Sequence, residues 1–245
     1  MSGPGPWTPS WLTAFVDLAP DHFERGVVFW AEVTGSRVSP SRGHHDEFVT
    51  LVPRDGDAYL RVQRLGSPTS GHHLDLHVPD PRGAAARAVG LGAAEVAGPG
   101  ADVVVLRSPA GLVFCLVAAH ETRLSSPVRW PGGRSQVNQV ALDIGPSSFD
   151  RERDFWEELT GFTPSDTGSP ELKRLDGGGP LRVLLQRLGD DREPGYHLDL
   201  AADDRAAETE RHVSLGATVE GVHSRWTVLA DPAGTRYCIT DRVPR

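Results

Sequence analysis

The chain has 245 residues, of which 38% are hydrophobic and 24% charged, and its formal charge at pH 7 is −8. This length is enough for one large domain or for two modules of about 110–120 residues, each with its own core. The acidic balance argues against binding to nucleic acid or to an anionic membrane, because both need a basic face. No apolar run approaches the roughly 20 residues that cross a bilayer, and Met1–Pro6 lacks the pattern of an export signal. We therefore expect a cytoplasmic protein whose partner is a small molecule.

The same series of short motifs occurs twice along the chain. Because the motifs keep their order and their spacing, we infer a tandem duplication. The matching pairs are Phe29-Trp30 and Phe155-Trp156, Gln63–Gly66 and Gln186–Gly189, His73–Leu76 and His197–Leu200, Leu91–Ala93 and Leu215–Ala217, and Pro109–Gly111 and Pro232–Gly234. We expect a loose leader over 1–10, a first module over 11–119, a linker over 120–136 and a second module over 137–242.

In the first copy, alternating apolar residues predict a strand over 11–18. Asp21 is expected to cap a helix over 22–34 that ends at Gly35. A polar, irregular segment follows over 38–45. Asp80, which is followed by a proline, predicts the start of a second helix that stops at Gly92. The other predicted strands of this copy lie at 47–52, 58–65, around His73, and at 93–97, 102–107 and 112–118.

The second copy repeats the same order, in which a strand, a helix and three strands occur twice. It begins with an alternating strand at Val137, and a helix follows over 148–160. Another strand opens at His197, and Asp203 or Asp204 is expected to cap a helix that ends at Leu215. The remaining predicted strands lie at 171–176, 181–188, 217–221, 225–230 and 235–240.

This order and these motifs resemble the vicinal oxygen chelate superfamily, which includes glyoxalase, bleomycin-resistance and extradiol dioxygenase proteins. The resemblance rests on the His-Leu-Asp-Leu strand before a helix, on Leu-Gly-Ala after it, and on Asp231–Gly234 leading to Tyr237–Ile239. It covers 11–118 and 137–241. It implies an α+β fold of two tandem modules, each built from paired βαβββ units that form a cup-shaped mixed sheet with helices outside. It also implies that the modules pair with each other within the chain, as a monomer or a homodimer.

Metal-dependent members of the superfamily hold a divalent ion with side chains from four strands of the cup. The matching positions of the second copy are Gln139, Gln186, His197 and Cys238, and those of the first copy are Thr13, Gln63, His73 and Cys115. The last position, commonly a glutamate, is a cysteine in both copies, so we expect no tightly held metal. A cysteine and a histidine can still recruit zinc if the thiol ionises, and the candidate ions are Zn, Ni, Mn or Fe.

Alternation along the second histidine strand places His197 and Asp199 in the cup and two leucines under the helices. The paired acid and histidine support either proton transfer or, for Asp199 and its twin Asp75, a bond to backbone or to an arginine. The arginine candidates are Arg61, Arg182 and Arg187. The two cysteines are expected to be buried free thiols. The expected ligand-binding residues are Gln139, Gln186, His197, Asp199, Trp226, His73 and Gln63.

Two functional hypotheses follow, and neither assigns a catalytic residue. In the first, the protein binds a small organic molecule in a sheet cup without a tightly held catalytic metal. In the alternative, it is a divalent-metal-dependent lyase, isomerase or dioxygenase. A further alternative is that one module is a structural partner that has lost its site. The first module fits this alternative better than the second.

Overall fold

The computed structural model describes residues 7–96, 103–177 and 179–245. Within these residues the chain forms four α-helices and two mixed sheets, so the predicted α+β class is confirmed. The elements of the first copy are β1 (Trp11–Leu18), α1 (Phe23–Thr34), β2 (Arg37–Val38), β3 (Phe48–Val52), β4 (Leu60–Arg64), β5 (Gly71–Val78), α2 (Pro81–Gly90), β6 (Ala94–Glu95), β7 (Val103–Arg107) and β8 (Val113–Ala118). Those that follow are β9 (Val128–Trp130), β10 (Gly133–Ile144), α3 (Phe149–Thr160), β11 (Thr163–Ser165), β12 (Leu172–Asp176), β13 (Arg182–Arg187), β14 (Gly195–Ala202), α4 (Arg205–Ser214), β15 (Thr218–Val222), β16 (Trp226–Ala230) and β17 (Arg236–Thr240).

The strand order is the same in the two sheets, as the sequence repeat predicts. The first sheet runs β2-β3-β4-β1-β5-β8-β7-β6, and the second runs β11-β12-β13-β10-β14-β17-β16-β15, with β9 paired to β10. Strands β5 and β8 are parallel, and so are β14 and β17. The three strands that follow each helix form antiparallel ladders, such as β16 with β17. The predicted order of strand, helix and three strands is therefore confirmed in both copies.

Capping residues mark the starts of α2 and α4 and the end of α1. Asp80 accepts a hydrogen bond from Gly83 N at 3.0 Å and starts α2, and Asp204 caps α4 in the same way. The cap predicted at Asp21 is wrong, because Pro20 opens a 3₁₀ turn over Pro20–His22 and α1 begins after it without a side-chain cap. Gly35 ends α1 with φ of 58°, a left-handed conformation that glycine adopts at little cost.

Part of the segment expected to be a linker is paired strand. Strand β9 and the start of β10 form an antiparallel hairpin in which Trp130 is opposite Gly133. The Pro-Gly pair between them is a hairpin turn, although its composition is equally typical of a loop. The facing ends of the strands predicted at 93–97 and 102–107 lie outside the described residues.

The described chain divides into two compact units, and each unit draws on both copies. Of the described residues, the first unit contains those within Met1–Thr13, His73–Thr122 and Val140–Tyr196, and the second contains those within Ala14–His72, Arg123–Gln139 and His197–Arg245. The sheets thus follow the duplication, whereas each compact unit combines half of one copy with half of the other. The modules therefore pair with each other within one chain.

In the first unit, helix α3 of the second copy packs on strand β8 of the first. The ring of Phe114 lies 5.9 Å from that of Phe155 and 5.2 Å from that of Trp156. The Trp156 indole donates to Glu152 at 2.8 Å, and the same carboxyl accepts from Ala110 N at 2.7 Å. Burial raises the pKa of Glu152. These bonds fasten α3 to the turn before β8.

In the second unit, helix α1 of the first copy packs on strand β17 of the second in the same manner. The ring of Trp30 lies 5.2 Å from that of Tyr237, and its indole donates to Asp231 Oδ2 at 2.9 Å. Here the carboxyl comes from the turn, at the position where the first copy has Ser108. In the first unit the carboxyl is that of Glu152, which lies on helix α3 at the position where α1 has Gly26. Both units therefore contain a buried hydrogen bond from a tryptophan to a carboxylate, but the carboxylate comes from the helix in the first unit and from the turn in the second.

A second polar network joins α4 to the end of α1 in the second unit. Arg211 donates to both carboxylate oxygens of Glu208, at 2.9 and 2.7 Å, and to Val33 O at 2.9 Å. His212 lies 2.9 Å from the Tyr237 hydroxyl. Burial would raise the pKa of Glu208, but hydrogen bonds from Arg211 and His212 outweigh it and lower that pKa to about 2. None of the helices in the described part of the chain is long and apolar enough to cross a membrane.

Candidate functional site

His197 and Asp199 lie on the same side of β14, two residues apart. In the parallel pair of β14 with β17, Asp199 is directly opposite Cys238, so these side chains share that side. Tyr237, next to Cys238, points to the other side, where it contacts α1. We call the side that carries His197, Asp199 and Cys238 the second site face. It faces away from the helices, as the alternation predicts.

Asp199 is the centre of this face. It is only 4% exposed. Gln139 Nε2 donates to Asp199 Oδ2 at 2.5 Å, His197 Nε2 lies 3.4 Å from Oδ1, and Arg242 Nη1 lies 3.5 Å from Oδ2. Burial would raise the pKa of Asp199, but the contacts with His197, Arg242 and Gln139 together hold it below its usual range. Asp199 is therefore an ionised carboxylate at neutral pH.

Two contributors to this face, Arg242 and Asn138, are not among the residues that the sequence predicts. Arg242 follows β17 in the last residues of the chain, and its Nη2 donates to Asn138 Oδ1 at 3.0 Å. Arg245 N donates to Gln136 Oε1 at 3.1 Å, which holds the same segment against β10. The arginine expected near Asp199 is thus Arg242, whereas Arg182 forms an ion pair with Asp176 at 3.2 Å.

The second site face also holds a set of donor atoms suited to a metal ion. One ligand atom from each of His197, Asp199 and Cys238 lies within 4.8 Å of the other two. Imidazole, carboxylate and thiolate are the ligands that zinc takes in proteins. Asp199 Oδ1 is buried and makes the long 3.4 Å contact with His197 but no shorter hydrogen bond among the described residues, so it can still bind an ion or accept a hydrogen bond from a ligand. The donor set therefore fits a zinc-like ion.

The first copy repeats this set in the other compact unit. Ligand atoms of His73, Asp75 and Cys115 lie within 4.8 Å of one another, with Asp75 directly opposite Cys115 in the strand pair. His73 Nε2 is 3.8 Å from Asp75 Oδ1. The surroundings differ, because Thr13 Oγ1 lies 2.9 Å from His77 Nε2. A hydroxyl–histidine contact thus stands where the second copy has the glutamine–aspartate bond.

Four of the predicted site residues come together in the structure, namely Gln139, His197, Asp199 and Cys238. Both cysteines are buried and neither forms a disulfide bond within the described residues, in agreement with the prediction. Gln186 and Gln63 lie on β13 and β4 at half-buried positions, opposite Leu172 and Phe48. Trp226 is opposite Thr240 on the strand beside β17, and so on the same side as Cys238. It is 38% exposed and stacks on His223 with ring centroids 4.7 Å apart, so it lies at the rim of the face.

Comparison with known proteins places this arrangement in a family. Segments 13–117 and 139–240 match the model of the family described as Glyoxalase-like domain, and together they cover most of the chain. No curated protein sequence matches the chain. The match to the family model confirms the predicted resemblance to the vicinal oxygen chelate superfamily.

Solved structures share the fold at low sequence identity. A Mn(II)-bound glyoxalase from Novosphingobium aromaticivorans superposes with a TM-score of 0.63 and 17% identity, over 95% of this chain and 82% of that one. A variant of homoprotocatechuate 2,3-dioxygenase from B. fuscum, in complex with HPCA, has a TM-score of 0.65 and 16% identity over 98% and 74%. A xylose isomerase-like TIM barrel/4-hydroxyphenylpyruvate dioxygenase fusion protein has a TM-score of 0.64 and 15% identity. The whole of the present chain superposes on the fusion protein, but it spans only 51% of the length of that protein. These likenesses concern the fold alone.

Proposed function

Because the chain belongs to the family of glyoxalase-like domain proteins, we propose that it binds a small organic molecule on the second site face. The observation that supports this most is the buried, ionised Asp199 among Gln139, His197 and Arg242. Asp199 Oδ1 has only a long 3.4 Å contact with His197 and no shorter hydrogen bond among the described residues, and a buried carboxylate oxygen that is so weakly bonded costs free energy. A ligand hydroxyl that donates to Asp199 Oδ1 would remove this cost. Sites for small molecules combine apolar walls with a few such directed polar groups.

Each residue of the face then has a binding role. Asp199 accepts the ligand's hydroxyl, and Gln139 holds the carboxylate in place from the other oxygen. Arg242 offsets the charge of Asp199, so the buried carboxylate stays ionised. His197, 3.4 Å from Oδ1, orients the same oxygen. Trp226 and Val228, on the same side of the sheet, supply aromatic and apolar surface towards the rim. We place the protein in the cytoplasm, where cysteines such as Cys238 stay reduced.

Calorimetric titration with catechol, a neutral aromatic diol, tests this proposal in buffer that contains EDTA. We expect saturable binding that Asp199→Asn weakens by roughly tenfold or more, since a hydrogen bond to a charged group contributes about 1.5–3 kcal/mol. His197→Ala should weaken it as well. Asp75→Asn, the same change on the first copy, is the matched control and should leave this binding unchanged. Equal affinity of the Asp199→Asn variant and the wild type would refute the proposal.

A second function, a metal-dependent lyase, isomerase or dioxygenase, is favoured by one observation. The donor set of His197, Asp199 and Cys238 recurs as His73, Asp75 and Cys115. The residues of the second copy would hold a zinc-like ion, which would polarise a carbonyl or hydroxyl oxygen of a substrate. Their own part would be to fix the ion's position, with Gln139 orienting Asp199 from outside.

Elemental analysis of protein purified without chelators distinguishes the two functions. If the metal-dependent reaction is the correct one, each chain carries one or two equivalents of a divalent ion. Cys238→Ser and His197→Ala should each then remove one of them. If the first proposal is correct, the metal content is well below one equivalent and is the same in these variants.

A further inference from the structure

Two buried hydrogen-bond donors on the second site face lack an acceptor. Asn138 is 3% exposed, and its Oδ1 already accepts from Arg242. Among the described residues, neither Asn138 Nδ2 nor Arg242 Nε has a hydrogen-bond partner. The two atoms belong to side chains that are bonded to each other at 3.0 Å. Most buried polar groups in folded proteins are paired, so two neighbouring unpaired donors indicate a place for an acceptor.

We propose that Arg242 and Asn138 bind the carboxylate of a small 2-hydroxy acid, whose hydroxyl donates to Asp199. This inference rests on the proposed function and names the chemical class of its ligand. A carboxylate has two acceptor oxygens, and a guanidinium presents donors in a plane that matches them. An amide N–H of Asn138 adds a third donor from the side. Neither donor can satisfy the other, because Asn138 Nδ2 and Arg242 Nε are both N–H groups.

The distances on the face indicate where the ligand's two polar groups are. Arg242 Nη1 lies 3.5 Å from Asp199 Oδ2. The guanidinium of Arg242 and the carboxylate of Asp199 are therefore neighbours, which suits a ligand that carries its two polar groups close together. A hydroxyl fits Asp199 better than an ammonium does, because Arg242 already supplies a positive charge beside this carboxylate.

The exposure of the residues is consistent with ligand entry from the rim. The side chain of Arg242 is 21% exposed, whereas the side chain of Asp199 is 6% exposed. Trp226 and the half-buried Val228 lie on the same side of the sheet towards solvent. An aromatic or apolar tail on the acid would lie against them. The overall charge of −8 argues against a polyanion, so a single carboxylate is the better fit.

The probes for this inference are 3-phenyllactate, its amide and 3-phenylpropionate, titrated by calorimetry in the presence of EDTA. The amide lacks the negative charge, and 3-phenylpropionate lacks the hydroxyl. On the wild type we expect 3-phenyllactate to bind roughly tenfold or more tightly than either, since each comparison removes one hydrogen bond to a charged group. This comparison needs no variant.

Variants then assign the preference to its residues. Arg242→Met should abolish the preference for the acid over the amide, and Arg242→Lys should retain part of it because the charge remains. Asn138→Leu is a second variant in case Arg242→Met does not fold, and it should reduce the preference. Arg225→Met is the control, because this arginine is 74% exposed and its partner is Asp241, at 3.8 Å. It should behave as the wild type.

The possible results separate this inference from the proposed function. If the amide binds as tightly as the acid while Asp199→Asn still weakens both, the carboxylate site is refuted and the proposed function stands. If no probe binds, including catechol, both are refuted. A preference for the acid that Arg242→Met leaves unchanged would also overturn the inference, because the carboxylate would then bind elsewhere.

Discussion

Replacing Glu208 by glutamine tests the polar network that joins α4 to α1 in the second unit. The change keeps the shape of the side chain and removes its charge, which Arg211 contacts through two hydrogen bonds. A fall of the pKa of Glu208 from 4.5 to about 2 corresponds to about 3 kcal/mol, at 1.36 kcal/mol per tenfold change. Removing one partner of a buried ion pair usually costs about 3–5 kcal/mol, which agrees in size. We therefore expect Glu208→Gln to lower the free energy of unfolding by about 3 kcal/mol at pH 7.

The assay is urea denaturation of the wild type and the variant between pH 7 and pH 3. Because the pKa of Glu208 is depressed in the folded state, its contribution is present above about pH 4.5 and is lost as the pH falls towards 2. The difference between the two proteins should therefore shrink as the pH falls through this range. Glu210→Gln, at an exposed position of the same helix, should change stability by less than about 0.5 kcal/mol. Equal losses in the two variants, or a difference that does not depend on pH, would refute the reasoning.

Three further changes test other contacts by the same denaturation measurement. Asp204→Ala removes the cap of α4 and should cost about 1 kcal/mol; a neutral result would contradict the role of the cap. Trp30→Phe deprives the buried Asp231 of the indole donor and should cost about 1–3 kcal/mol, whereas a loss below that range would mean that water replaces the indole. Gln139→Leu removes the 2.5 Å hydrogen bond to Asp199 and should cost about 2 kcal/mol at pH 7. Because the pKa of Asp199 is depressed, that cost should decline as the pH falls below its usual range, and a constant cost would contradict it.

The sequence predicts the sheets well because the duplication provides every element twice. A weak pattern in one copy, such as the short strand near Ala94, is supported by its counterpart at Thr218. The pairing of Asp199 with Cys238 also follows, once β14 and β17 are neighbours and parallel. Alternation then places His197 on the same side, without any further information.

The composition of the compact units is not predictable in the same way. Helix α1 and helix α3 carry the same Phe-Trp pair, so either pattern fits either sheet equally well. The structure pairs α1 with Tyr237 and α3 with Phe114, each across the two copies. A signal does exist in the buried carboxylates, because the turn of the second copy has Asp231 where the first has Ser108. That exchange becomes informative only when the helix partners are known.

The residues of the site that sequence reasoning misses are those outside regular alternation. Arg242 belongs to an irregular segment after the last strand, and nothing local links it to Asp199. Asn138 is next to Gln139, so simple alternation directs it to the opposite side of the strand. An arginine contact is one of the alternatives that the sequence leaves open for Asp199, and the structure provides it from Arg242, which is not among the candidates Arg61, Arg182 and Arg187.

Titration of the chelator-treated protein with catechol tests the central claim most directly, because it requires neither metal nor turnover. The account predicts saturable binding that is independent of added zinc and that Asp199→Asn weakens roughly tenfold or more. Binding that appears only when zinc is added, and that Cys238→Ser abolishes, would contradict it and favour the metal-dependent function.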